Sequence, residues 1–180
     1  LGGTTPLDII LNFNEDNFKI DKLEETVEGD LEFEDDLILN DVFEENDSIW
    51  FTSEKIEIIK SIHKYLENRH EIGKVTSIYS LIDTANQINK VDLSSFELSV
   101  LYNELPLNYK SDLIDPFLNI ENNSVKISAR VKDSANIKRN ELIKDINIYL
   151  ENEFDNLKDF KINGLLVLYN NMLKSLFSSQ

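Results

Sequence analysis

The spacing of apolar residues along this chain switches between a period near two and a period near 3.6, and each switch predicts an element. Leu7-Asp-Ile-Ile-Leu-Asn-Phe13 is a short β-rich run entered through Pro6, a residue tolerated at the first position of a strand. Ser53 predicts the cap of a helix over Glu54–His70, because Ile58, Ile59, Ile62, Tyr65 and Leu66 recur at helical spacing. Gly73 ends that helix, and Val75–Leu81 reads as a strand. Between Ile82 and Leu118 the pattern predicts short helical pieces, Ser95–Leu105 and Ser111–Leu118 among them, broken by Pro106 and Pro116. Ser124–Lys132 carries the clearest strand signal. Val125, Ile127, Ala129 and Val131 alternate there with Lys126, Ser128, Arg130 and Lys132, so one face is buried and the other wet and basic. A second long helix is predicted from Ile137 to Phe154, with Leu142, Ile143, Ile146, Tyr149 and Leu150 on its apolar side. Phe160–Ile162 gives a brief strand before Gly164, and Leu165–Phe177 an amphipathic helix.

In order, this is strand, helix, strand, then strand, helix, strand, with insertions. Two such units in series predict an α+β fold of the ferredoxin-like, split βαβ kind: an antiparallel sheet with helices on one face. The handedness rule for crossovers leaves few alternatives. At 180 residues one domain is expected, interrupted by an excursion over 14–49. Within the excursion, Leu31-Glu-Phe-Glu and Leu37-Ile-Leu fit a weak hairpin, and a mobile insertion fits as well. A partly ordered excursion is the favoured reading. This fold hosts many activities and names none.

Charge narrows the partners. The formal net charge is −16, and it is concentrated: Glu15–Asp47 holds fifteen acids against Lys19 and Lys22, a net −13, which leaves −3 for the rest. Nucleic acid is excluded as a partner, since its phosphates would be repelled. Adsorption of the bulk of the domain to an anionic lipid surface is disfavoured for the same reason. The absence of cysteine excludes a disulfide framework, a thiol nucleophile and thiolate metal sites. The longest apolar runs, Leu7–Leu11 and Leu165–Tyr169, fall far short of the roughly 20 residues of a membrane helix. The opening Leu-Gly-Gly-Thr-Thr-Pro has no leader pattern, and the expectation is a section of a longer polypeptide.

Candidate chemistry is sparse. His63, Glu67 and His70 are spaced to share one helix face and form the one candidate metal face; a solvated face is the favoured reading of it. A Glu-x-x-His unit occurs once there, whereas carboxylate-bridged dimetal bundles need it twice. No nucleophile elbow appears, and Gly2-Gly3 precedes a strand rather than a helix N-terminus, so it makes no phosphate cradle. Aligning Gly29 with the turn glycine of a calcium loop puts Glu24, Thr26 and Glu28 first and Asp35 last. That fails the pattern, which needs Asp or Asn first and a bidentate Glu last. The chain is therefore expected to be no enzyme by itself and to hold no cofactor.

Two terminal segments carry a resemblance. Leu1-Gly-Gly-Thr-Thr-Pro-Leu-Asp-Ile-Ile-Leu11 and Asn163-Gly-Leu-Leu-Val-Leu-Tyr-Asn-Asn-Met-Leu-Lys-Ser-Leu-Phe-Ser-Ser-Gln180 resemble segments of RND-superfamily exporters, the group related to the mycobacterial membrane protein large transporters. Val75-Thr-Ser-Ile-Tyr-Ser and the stretch from Arg130 to Ile143 are similar to internal segments of that family; the acidic stretch is not. The resemblance implies a porter-type loop on the periplasmic or extracytoplasmic side of a bacterial inner membrane protein. Residues 165–180 would then lead into a transmembrane helix. It also implies proton-driven export of a hydrophobic or lipid-like substrate, with the energy-coupling groups in membrane helices outside this chain. The implied partners are the rest of the transporter chain, its other large loop and further copies in an oligomer. Motif positions carried over as structural are Gly2, Gly3 and Pro6 at the strand entry, Asn140 near the second helix start, and Gly164, Tyr169, Asn170 and Asn171 at the exit helix. The alternative is a free-standing ferredoxin-like binding or regulatory module.

Overall fold

A computed structural model describes residues 5–14, 50–132, 137–154, 157–164, 167, 168, 172 and 175. The sheet forms around the strands whose sequence alternates most strictly. β1 (Thr5–Phe13) and β4 (Ser124–Val131) pair antiparallel over eight positions, from Thr5 opposite Val131 to Asn12 opposite Ser124. β5 (Leu157–Asn163) joins the other side of β1, and β2 (Ile72–Thr76) the other side of β4. The order is β2-β4-β1-β5, with the two-residue β3 (Leu118–Asn119) on the same edge of β4 as β2. Every neighbouring pair is antiparallel, and each strand–helix–strand unit brackets a strand of the other. That is the ferredoxin-like α+β arrangement.

α1 (Ser53–Glu67) and α4 (Arg139–Glu153) bury one stripe each and cover one face of the sheet. Ile58, Ile59, Ile62 and Leu66 of α1 and Leu142, Ile146 and Leu150 of α4 meet Leu7, Ile9, Leu11, Val125, Ile127 and Val131 in one core. Tyr65 and Tyr149 stack between the two helices, ring centroids 3.8 Å apart and 6° from parallel. At the end of α1, Arg69 donates to Glu71 and to Asp145 of α4, at 3.0 and 2.8 Å. On the other sheet face, Asp8 accepts from Ser128 at 2.7 Å, Asn12 bonds Asp159, and Arg130 and Lys161 are exposed.

The second insertion, between β2 and β4, holds α2 (Ile78–Asn89), α3 (Ser95–Glu104) and a helical turn at Leu107–Tyr109 that widens into a π-helical turn at Lys110–Ile114. Several boundaries differ from expectation here. Val75–Leu81 is not one strand: Ser77 caps a helix, accepting from the Tyr79 amide while Ser80 reaches back to the Ser77 amide. This reciprocal capping outweighs the β-branched run before it. Gly73 does not end a helix; it lies inside β2, where the pairing register shifts. α1 ends at Glu67 rather than His70, and its cap is Thr52 rather than Ser53. Ser111–Leu118 is not one helix, since the π turn ends before Pro116 and the chain turns into β3. Residues 15–49 of the excursion, with its proposed hairpin, and most of the helix expected over Leu165–Phe177 fall outside the described residues. Val167, Leu168, Met172 and Ser175 are helical. Among the described residues no helix is long and apolar enough to cross a membrane.

Candidate functional site

The inserted helices do not close over one another. α2 presents Ile78, Leu81, Ile82 and Ala85, spaced to share one face, towards Leu98, Leu101 and Tyr102 of α3 and Leu105 just after it. Leu113 and Ile114 of the π turn and Phe51 before α1 complete the walls. They enclose a partly open cavity of about 140 Å³ lined by apolar and aromatic side chains. Ile78, Ile82, Leu98 and Ile114 form its buried floor, while Leu101 and Leu113 at the rim keep 46% and 45% of their surface. Leu107 and Tyr109 lie exposed just before the π turn, at 82% and 53%. Single exposed apolar residues are ordinary, but a cluster around an apolar hollow marks a binding surface. A π turn in its wall fits that role, since such turns occur frequently at functional sites.

Two buried polar groups of α1 lie close to these elements. His63 of α1 is 3% exposed; its Nδ1 lies 2.8 Å from Ser77 Oγ and its Nε2 3.3 Å from Glu67 Oε1. The ionised Glu67 carboxylate only accepts, so the ring carries its proton on Nε2 and Nδ1 accepts from the Ser77 hydroxyl, whose oxygen also accepts from the Tyr79 amide. The ring also meets Tyr79 edge-on at 5.3 Å. Burial pushes the His63 pKa below its ordinary value, outweighing the pull of Glu67. Burial pushes the Glu67 carboxyl up, but Lys64 and His63 together hold it below its usual range. α1 thus fixes the entry of α2, and α2 forms one wall of the pocket.

The second group is Lys55, 7% exposed, with Nζ 4.9 Å from the centre of the Trp50 ring and 2.9 Å from Asn123 Oδ1. Burial lowers its pKa to about 8. Trp50 packs edge-on against both Phe13 and the pocket residue Phe51.

The candidate metal face is not assembled. His63 and Glu67 are in contact, but His70 lies beyond the end of α1, is exposed and sits 3.3 Å from Glu71. Nor is His63 on a solvated face, as its spacing had suggested; helix α2 covers it. Among the described residues no three His, Cys, Asp or Glu are grouped to hold a metal ion. Gly164 ends β5 with φ 144°, and a Cβ there would lie 2.6 Å from the Pro6 carbonyl oxygen. Pro6 and Gly164 therefore meet where β1 begins. Asn140 is exposed in the first turn of α4. Gly2, Gly3, Tyr169, Asn170 and Asn171, and the calcium-pattern positions Glu24, Thr26, Glu28 and Asp35, are outside the described residues.

Comparison of the chain with protein-family models and with curated proteins finds no match.

Proposed function

We propose that this chain is the extracytoplasmic, porter-type domain of an RND-superfamily exporter and forms part of the path or gate for a hydrophobic or lipid-like substrate. The observation that carries the substrate side is the partly open apolar cavity between α2, α3 and the π turn. A cavity with such walls gains by taking apolar surface out of water, at roughly 25 cal/mol per Å². The ferredoxin-like sheet and the resemblance of residues 1–11 and 163–180 to exporter segments support the transporter side. In this reading the domain moves as a body with the membrane part and presents the pocket to passing substrate. The chain itself supplies no energy-coupling group and no catalysis.

A free-standing ligand-binding module is the second reading, favoured by the fact that Phe51 and residues 78–114 form the pocket without any other chain. The coding sequence on either side of residues 1–180 separates the two. The exporter reading expects an open frame that runs past Gln180 into about 20 apolar residues. A stop codon directly after Gln180 sinks it and leaves the module.

A further inference from the structure

A cation stands beside the pocket wall, outside its lining residues. Lys110 opens the π turn that also supplies Leu113 and Ile114, and its Nζ stands 4.5 Å from the centre of the Tyr102 ring, itself a wall of the pocket. The ammonium donates to the Asn103 carbonyl at 3.3 Å. An ammonium has three donors. No carboxylate among the described residues is within 4 Å of it, and Asp112 and Asp115, the acids closest in sequence, form no ion pair with it. Size adds a second constraint. An apolar cavity of about 150 Å³ takes a benzene-sized molecule. The floor of this pocket therefore holds about six carbons of a ligand, and anything longer leaves past the rim residues Leu101 and Leu113.

We propose that the pocket binds single-chain anionic amphiphiles, with the end of the alkyl chain on the apolar floor and the anionic head on Lys110. This rests on the hydrophobic-substrate reading above and adds the charge and shape of the ligand. The shared chemistry is an unbranched chain ending in a carboxylate, sulfate or phosphate. Packing supplies most of the affinity, because the walls are apolar. The ion pair selects the head, because Lys110 is only partly buried and water screens it.

The test compares three probes below their micelle concentrations on the full 180-residue chain, by calorimetry or amide chemical shifts: decanoate, 1-decanol and decyltrimethylammonium. Decanoate is expected to bind about fivefold tighter than decanol, the scale of one partly screened charge contact, and decyltrimethylammonium weakest. Lys110→Gln should erase the gap between decanoate and decanol and leave the decanol affinity unchanged. Ala85→Trp, which fills the cavity, should abolish binding of all three. Leu101→Glu at the rim gives a second reading if Ala85→Trp does not fold; it should weaken decanoate more than decanol. Equal binding of decanoate and decanol, or a preference that survives Lys110→Gln, overturns the head-group assignment and leaves the apolar pocket standing. Failure of all three probes to bind, or binding insensitive to both pocket variants, overturns both.

Discussion

Asn123 joins the two ends of the acidic excursion, and its replacement tests how that neck is held. It stands in the turn before β4 with φ 47°, in the left-handed region. Its Oδ1 accepts from Trp50 Nε1 at 3.0 Å and from Lys55 Nζ at 2.9 Å, and its Nδ2 donates to the Phe13 carbonyl at 3.1 Å. Phe13 ends β1, and Trp50 leads into α1. Each neutral bond is worth about 1 kcal/mol and the bond from the lysine about 1.5–3. Losses in one network are not additive, so removing the side chain should cost about 3 kcal/mol. A non-glycine residue without an Asn side chain pays roughly 1 kcal/mol more at positive φ. Asn123→Ala is therefore expected to lose about 4 kcal/mol and Asn123→Gly about 3. Urea unfolding followed by the fluorescence of Trp50, the one tryptophan in the chain, reads both. Equal losses in the two variants would refute the backbone part. A loss under about 1 kcal/mol in Asn123→Ala would refute the claim that these bonds hold the neck.

Other perturbations have equally definite signs. Gly164→Ala adds a Cβ 2.6 Å from the Pro6 carbonyl oxygen at φ 144°. It should cost about 2–4 kcal/mol in chemical unfolding, and a loss below about 1 contradicts the close approach. His63 is more readily protonated in the unfolded chain, so its stabilising effect is complete above its ordinary value of 6.5 and is lost as the pH falls through its lowered folded value. Unfolding between pH 7 and 5 should show this fall in the wild type and a smaller one in His63→Gln; identical slopes contradict it. Lys55 releases its proton earlier in the folded chain, near pH 8 against an ordinary 10.5. Stability relative to Lys55→Met should thus rise between those values, by at most about 3 kcal/mol, and a flat difference rejects the buried ammonium.

The sheet was legible because alternation is strict where one face is buried. Leu7, Ile9 and Leu11, and Val125, Ile127 and Val131, lie in the core as their spacing requires. The stripes of α1 and α4 were legible for the same reason at a period of 3.6. Val75–Leu81 misled because Val, Thr and Ile read as strand while a local device, the Ser77 and Ser80 cap, starts a helix in the middle of them. The pocket was harder to see. Ile78, Ile82, Leu98 and Leu105 have helical spacing, but periodicity marks an apolar face without telling whether a neighbour covers it. His63 followed the same logic in reverse: a polar residue looked solvated because the Ser77 hydroxyl that satisfies it lies fourteen residues away. Lys55 and Lys110 gave no signal in a single sequence, since a lysine is ordinarily read as exposed.

In the proposed function, hydrophobic substrate meets this domain in the cavity between α2, α3 and the π turn. Photolabelling the chain with an alkyl-chain diazirine carboxylate, followed by peptide mapping, addresses it most directly. Adducts are expected to concentrate on Leu98, Leu101 and Leu113 and to be lost in Ala85→Trp. Adducts concentrated on the sheet face that carries Arg130 and Lys161, or adducts unchanged in the filled variant, would contradict it.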